Sequence, residues 1–343
     1  VSPGPEARME AKDALPPPPA LTGRKRWGWV PGILLLAGFL IFVLARYAEE
    51  QELARLFLQA RPGWLLAAAG LQACTYLCAA ALWKRVLLRT GVHAPVLALA
   101  RLSLMKLSFD QIFPSAGLGG SLVVARGLRR QGASPGAAAA SVLITNLCLY
   151  ISQALTLGGS VLFLWARHQL IPLVTWLAGT FSILFAIVPV TILWLTRHQG
   201  WAPPRWSRRV PGLERLLSAI SQVPPGLVRN PPLLFESTLL YLSIFLLDAA
   251  TLGAALRALG HTAPLSTVLV SFMLASVAET VGIIPGGVGT FEAACVGLLN
   301  LLGVPLETAL AGTLLLRGFT LWLPLPAGLY LLKWSTSEEK PDG

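Results

Sequence analysis

The sequence predicts an all-α polytopic integral membrane protein: a helical bundle of about eight hydrophobic segments with two inversely related, Pro/Gly-broken hairpins. Three observations predict it. The 343 residues are 55% hydrophobic and only 13% charged, about half the charge content of a soluble domain. Several nearly uncharged runs reach the ~20 residues that a helix needs to cross a hydrocarbon core. Lys and Arg fall mostly in the connections, on alternate sides of a consistent topology.

The elements follow in order. Residues 1–29 form a Pro-rich and basic tail, with Met9 as a candidate start, a stiff Pro16–Pro19 linker and the basic stretch GRKRWGW at 23–29. The apolar run 30–45 reads as an uncleaved first span, because it is long and no A-x-A site follows it. Further runs occupy 64–83, 94–113, 136–165, 170–196, 232–256, 264–284 and 306–332, with shorter apolar pieces at 117–128 and 290–303. Each run is expected to be helical, since lipid offers no partner to an open backbone. The piece at 117–128 would be roughly 18 Å long as a helix, too short to span. Residues 94–128 are therefore expected to enter and leave on one side.

With the N-terminus inside, 21 Lys and Arg fall on the cytoplasmic side and five outside, Arg317 being left within the last run. That split satisfies the positive-inside rule. It divides the chain into a cytoplasmic tail (1–29), a transmembrane domain (30–333) with a basic cytoplasmic loop at 197–231, and a cytoplasmic tail (334–343). The loop is expected to rest a short basic helix on anionic headgroups.

Composition also excludes. The net charge of +11 belongs to topology, and no helix-turn-helix or RNP-like pattern accompanies it, so nucleic acid is not an expected partner. Cys74, Cys78, Cys148 and Cys295 all lie in apolar segments and have no second ligand pair, and the four histidines are scattered. No metal site and no cofactor are implied. No catalytic triad or H-E-x-x-H stands in the chain, so an enzyme is not expected.

The stretch FPSAGLGGSLVVARGLRRQGASP (113–135) parallels IPGGVGTFEAACVGLLNLLGVP (284–305). Each begins apolar–Pro, passes a glycine cluster and runs through a short apolar helix to a Gly/Pro turn. Three spans separate them, an odd number, so the hairpins open from opposite sides. Paired interruptions of this kind point to a transporter-like site near the midplane. In the second motif Pro285 ends the preceding helix, while Gly286, Gly287 and Gly289 permit close backbone approach. Thr290 is a candidate N-cap, with Glu292 in the first turn of the next helix. Arg317 lies too deep to snorkel and is expected to meet Glu279 or Glu292, or a phosphate headgroup; a purely structural ion pair is the competing reading. Asp110 and Asp248 are further acids within apolar runs. Ser103, Lys106 and Asp110 share one helix face, either a wet interfacial side or a cavity wall.

PSAGLGGSLVVARGL (114–128), ETVGIIPGGVGTFE (279–292) and LLLRGFTLWLPLPAGL (314–329) together resemble the lysylphosphatidylglycerol synthase transmembrane family over roughly residues 27–333. That family includes the flippase portion of the bacterial multiple peptide resistance factor. The resemblance implies a multi-pass bacterial inner-membrane protein that moves phospholipids or lipid-linked intermediates between leaflets. Its matching positions here are Pro285, Gly286, Gly287, Gly289, Glu292 and Arg317, with Pro114, Gly119, Gly120 and Arg126 in the first half. On this reading Arg126 and Arg317 contact phosphate, while Glu279 and Glu292 position Arg317 or meet a cationic headgroup. The expected partners are membrane lipids, anionic or modified, and a cytoplasmic lipid-modifying enzyme; homo-oligomerisation is left open. Two-part relatives continue into a soluble aminoacyl-transferase domain, whereas this sequence stops at Gly343, so lysine transfer is not expected. The alternatives are a membrane-embedded enzyme or accessory subunit of a lipid-modifying pathway, and a scaffold that recruits a synthase.

Overall fold

The computed structural model describes residues 59–112, 118–166, 172–195, 225–281 and 287–337. The N-terminal tail, the first apolar run, Pro114, Pro285, Gly286, most of the basic loop and the C-terminal tail lie outside the described residues. Those described are 87% helical, with no strand among them.

The helices are α1 (Pro62–Leu88), α2 (Val96–Ile112), α3 (Leu118–Arg130), α4 (Pro135–Ala166), α5 (Pro172–Leu195), the single turn α6 (Pro225–Val228) and α7 (Pro231–Ala258). Then come α8 (Leu265–Val281), α9 (Thr290–Leu301), α10 (Leu306–Arg317), a π-helical turn at Gly318–Trp322, and α11 (Pro324–Ser337). Local chemistry sets many of these limits. Proline opens α1, α4, α5 and α7, where its missing N–H has no intrahelical partner to lose. Four helices end in one way: Gly91, Gly132, Gly260 and Gly303 adopt φ of 77°, 90°, 82° and 95°. At each, the next residue donates back to a leucine carbonyl: Val92 to Leu87, Ala133 to Leu128, His261 to Leu256 and Val304 to Leu299. This is the Schellman stop, which closes carbonyls that a membrane helix cannot leave open. An L-x-x-x-G spelling marks all four in the sequence.

The stops recur at matching places, so the internal repeat is larger than the two motifs. α1, α2, α3 and α4 correspond to α7, α8, α9 and the α10–α11 unit. The helix lengths agree: 27 and 28 residues for α1 and α7, 17 for both α2 and α8, 13 and 12 for α3 and α9. Packing repeats as well, α2 lying on α11 as α8 lies on α4. The two halves meet along α1 and α7, which run antiparallel. The Arg61 N–H donates to Ala258 O at 2.8 Å, Thr75 Oγ1 to Asp248 Oδ1 at 3.3 Å, and Arg85 pairs with Glu236 at 3.6 Å. These contacts step along both helices in opposite senses, so the halves cross the bundle in opposite directions.

Among the described residues, five helical segments are long and apolar enough to span. The solvent is lipid, and burial shows it. The segment of highest hydropathy, in α5, is only 17% buried, whereas that in α4 is 56% buried. α4 is central through small and hydroxyl residues: Ser141, Thr145, Ser152, Thr156 and Ser160 are all buried. Ser152 donates across to Thr238 O of α7 at 3.0 Å, and the other four bond the preceding turn of their own helix. Small polar residues at such seams allow close approach without an orphaned group. Cys148 and Cys295 are packed inside, and Cys74 is exposed.

Each hairpin has its own apolar core. Leu99, Leu102, Val124 and Leu128 of the first pack with Trp83 and Leu87 of α1. Phe272, Phe291, Cys295 and Leu299 of the second pack with Leu252, Leu256 and Leu316. The halves differ at one place. α4 is continuous over 32 residues, but the run at 306–332, which reads as one span, is divided by the π turn directly after Arg317. Pro324 has no N–H to continue the ladder; the Leu323 N–H reaches Gly318 O at 3.0 Å, and Thr320 Oγ1 donates to Leu316 O at 3.0 Å.

α10 approaches α7 at Gly312, where an added Cβ would press on Leu256. Gly312→Val is expected to cost about 1–3 kcal/mol through overpacking, seen as a lower unfolding midpoint in detergent. Gly70→Val, on α1 with open space around it, is expected to leave that midpoint within about 0.5 kcal/mol of wild type.

Candidate functional site

The site grows from the gap between α8 and α9. α8 brings Glu279 to its last turn. Gly287 follows the gap with φ 58°, and a Cβ there would run into the Glu279 side chain, so only glycine satisfies both the dihedral and the space. The Thr290 hydroxyl donates to Gly287 O at 2.9 Å, which ties the approach segment to the helix start.

Thr290 is therefore not the N-cap that its sequence position suggests. It is the first residue of α9, and Gly289 holds the cap position. The Glu292 carboxylate reaches back and its Oε2 accepts from the Gly289 N–H at 2.6 Å. This is the back-reaching half of a capping box, in which the acid at the third helical position satisfies the N–H of the cap residue itself.

Arg317 ends α10 and closes the site from the other side. Its Nε donates to Glu292 Oε1 at 2.7 Å, its Nη1 to Glu279 Oε1 at 3.1 Å, and its Nη2 to Gly287 O at 3.4 Å. The guanidinium carbon sits 4.3 Å from the centroid of the Phe291 ring, a cation–π contact, and Phe291 is in turn held edge-on by Phe272 at 6.0 Å. One arginine thus joins α8, the glycine turn, α9 and α10. The planar fork makes this arrangement available to arginine and not to lysine.

The two acids are not equivalent. The side chains of Arg317 and Glu292 are 4% and 6% exposed, that of Glu279 28%. Glu292 is spent twice, on the helix start and on Arg317. Glu279 makes one ion pair and keeps an open side. Gln111, at the end of α2, stands beside it, so the two hairpins meet at this acid.

The first hairpin repeats the device with different residues. The Gly120 N–H, in the first turn of α3, donates to Asp110 Oδ1 at 2.9 Å, and Lys106 pairs with Asp110 Oδ2 at 2.8 Å. Gly120 is buried against that carboxylate, where a Cβ would collide with it. Of the stripe Ser103, Lys106 and Asp110, the last two form this pair, and Ser103 bonds its own helix at Leu99 O, 3.0 Å away.

The structure therefore brings together Glu279, Gly287, Gly289, Glu292 and Arg317 from the second half. Gly119 lies in the first turn of α3, and Arg126 is half-buried on α3 in the other hairpin. The Gly287 carbonyl and the Phe291 ring were missed by sequence reasoning. A backbone carbonyl carries no sequence signal, and a phenylalanine in an apolar run reads as core. The described residues hold no group of three or more His, Cys, Asp or Glu able to bind a metal.

Fold and site define a polytopic helical membrane protein made of two inverted halves, each broken within the bundle and closed by an acid–base pair. The family model of the lysylphosphatidylglycerol synthase transmembrane region matches residues 29–328, and the chain belongs to that family. Its function is accordingly lipid-related. No curated protein matches the chain.

Arg317→Gln is expected to destabilise the protein by about 3–5 kcal/mol, because it leaves Glu292 charged, buried and unpaired. Glu292→Gln keeps an acceptor for Gly289 and leaves Arg317 paired with Glu279, so about 1.5–3 kcal/mol is expected, the value of one hydrogen bond to a charged group. Denaturant unfolding in detergent separates the two; equal losses would contradict the unequal roles.

Proposed function

We propose that this protein moves a phospholipid or a lipid-linked intermediate between the leaflets of a bacterial inner membrane, with both termini cytoplasmic. The observation that carries the reading is the division of labour around Arg317. Glu292 satisfies the structural needs of the buried guanidinium and of the α9 N-terminus. Glu279 is left as a partner that is part-exposed and replaceable. A phosphodiester headgroup is a bidentate ligand for a guanidinium, and it competes with Glu279 for the Nη1 face of Arg317. A headgroup with an amine is received by the displaced Glu279 carboxylate. The site thus offers both charges of a zwitterionic or aminoacylated headgroup within one cluster.

Intramembrane charges of this kind characteristically line substrate paths, and broken half-helices in inverted repeats characteristically form transporter sites. Family membership and the 21-to-5 distribution of Lys and Arg support the lipid substrate and the orientation. The reading assigns no bond-making step to the protein; a cytoplasmic lipid-modifying enzyme would supply its substrate.

The test is leaflet exchange of a headgroup-labelled anionic phospholipid in liposomes that hold purified protein. Wild type is expected to accelerate exchange. Glu279→Gln is expected to stay folded and to change the rate by about tenfold, the effect of ~1.4 kcal/mol on one charged contact. Arg317→Lys should lose most of the rate. No acceleration by wild type across several headgroups would sink the reading and favour a membrane-embedded enzyme or accessory subunit. Unchanged exchange in folded Glu279→Gln and Arg317→Lys would place the path elsewhere.

A further inference from the structure

At one end of the seam between the halves, α1 and α8 both pack against α7 but scarcely touch each other. They leave a trough along the last turns of α7, with a volume of about 160 Å³. Trp64 and Leu265, both exposed, line it, so it opens on the surface of the bundle. Its floor is Ala250, Gly253 and Ala254 of α7, side chains too short to fill it, and Leu71 of α1 and Val268 of α8 flank it.

The lining is apolar with one exception. Arg257, in the last turn of α7, lines the same trough, and its guanidinium carbon lies 5.2 Å from the centroid of the Trp64 ring. An arginine at a helix C-terminus is ordinary, because it complements the dipole. This one is oriented by a cation–π contact and keeps its donors unspent. Among the described residues its guanidinium forms no ion pair and no hydrogen bond. Arg61 stands next to this helix end, its N–H donating to Ala258 O at 2.8 Å, and it too has no acid partner among the described residues.

From Arg257 back to Ala249, the far end of the lining on α7, is roughly 12 Å of helix. One opening thus joins an unspent guanidinium at the helix end to a narrow apolar channel that runs toward the bundle centre. An apolar cavity of about 150 Å³ takes up hydrocarbon the size of benzene, so the trough accepts part of an acyl chain. A helix is ~10 Å across; laid over the trough, it covers the opening without filling it. The exposed tryptophan at the opening suits the depth of the headgroups.

We propose that the α1–α7–α8 trough binds an anionic phospholipid, with its phosphate on Arg257 and part of one acyl chain over Ala250 and Gly253. A phosphodiester takes two parallel N–H bonds from the edge of a guanidinium, while Trp64 covers the face of the same group. Two cations without acid partners select a net negative lipid, phosphatidylglycerol over phosphatidylcholine, whose choline would face Arg61. The occupant touches α1 of the first half and α7 and α8 of the second, so it braces the seam as a resident lipid. This site is separate from Arg317 and does not rest on the transport reading.

The test follows the melting temperature of the purified, delipidated full chain in detergent as either lipid is titrated in. Phosphatidylglycerol is expected to raise it saturably by about 5 °C, and phosphatidylcholine far less. Arg257→Gln, at an exposed position, should melt as wild type without lipid. Its half-saturating phosphatidylglycerol concentration should be about tenfold higher, the weight of one hydrogen bond to a charged group. Ala250→Leu fills the trough and leaves Arg257 in place; it should also weaken the response. Arg229→Gln, exposed on the turn before α7, should respond as wild type. Glycerophosphoglycerol, the same headgroup without chains, should leave the melting temperature unmoved. Equal responses to both lipids, or an unchanged response in Arg257→Gln, overturn the proposal. So does a wild-type response in Ala250→Leu or to glycerophosphoglycerol, which would reduce the site to a phosphate contact on the surface. A cysteine at Ala250→Cys that cross-links to the run 30–45 in the delipidated chain would make that segment the occupant and overturn it as well. A phosphatidylglycerol response in a protein that moves no lipid in liposomes upholds this site and overturns the transport reading alone.

Discussion

A helix that begins inside a membrane exposes N–H groups and a positive dipole end where no water can meet them. That constraint organises this protein twice. In each half a carboxylate accepts from a glycine N–H at or near the start of the second half-helix, Asp110 from Gly120 and Glu292 from Gly289. A carboxylate in such a place needs its own counter-charge, supplied by Lys106 in one half and Arg317 in the other. Most other features of the hairpins follow. Glycine is required at 120 and 287 because carboxylate side chains occupy the space of a Cβ. Lys106 and Arg317 must lie deep in the bundle because the acids do.

The two solutions differ in reach. Lys106 sits one turn before Asp110 on the same helix, so the first ion pair is local and can form with α2 alone, before α3 brings Gly120 to it. Arg317 lies 25 residues beyond Glu292 and 38 beyond Glu279, so the second closure forms only when α8, α9 and α10 have packed. The π turn follows it immediately. Such turns interrupt helices frequently at functional positions, and here it departs from the symmetry of the halves at the one residue that joins four segments of the second. The second hairpin is therefore the one in which the proposed exchange of Glu279 for a headgroup would be felt by several helices together.

Much of this was legible in the chain. The conspicuous charges in apolar runs, Glu279, Glu292, Arg317 and Asp110, marked the site before any geometry. The Pro/Gly interruptions at both hairpins located the breaks, and the L-x-x-x-G stops are visible once four are aligned. What was illegible has physical causes. Thr290 looked like a cap, but the cap falls one residue earlier, at Gly289, whose φ of 88° belongs to a turn that no local propensity of Thr290 announces. Glu279 and Glu292 looked alike as partners of Arg317; their different exposures arise from how α8 and α9 are rotated against α10. The division after Arg317 was hidden in a run of uniform hydropathy, since a π turn changes hydrogen bonding and leaves composition untouched.

By itself the sequence determined that the chain is a helical membrane bundle, where its two hairpins are interrupted, and which charges lie within the apolar runs. Those are local properties of residue type and spacing, set by the cost of open backbone and of charge in lipid. Only the tertiary structure decided that α1 and α7 run antiparallel as the seam between halves, that Asp248 meets Thr75 across that seam, and that one guanidinium serves two acids unequally. Helix packing in lipid is chosen by shape and by a few polar contacts between distant segments, and hydropathy along a single helix does not encode its neighbour.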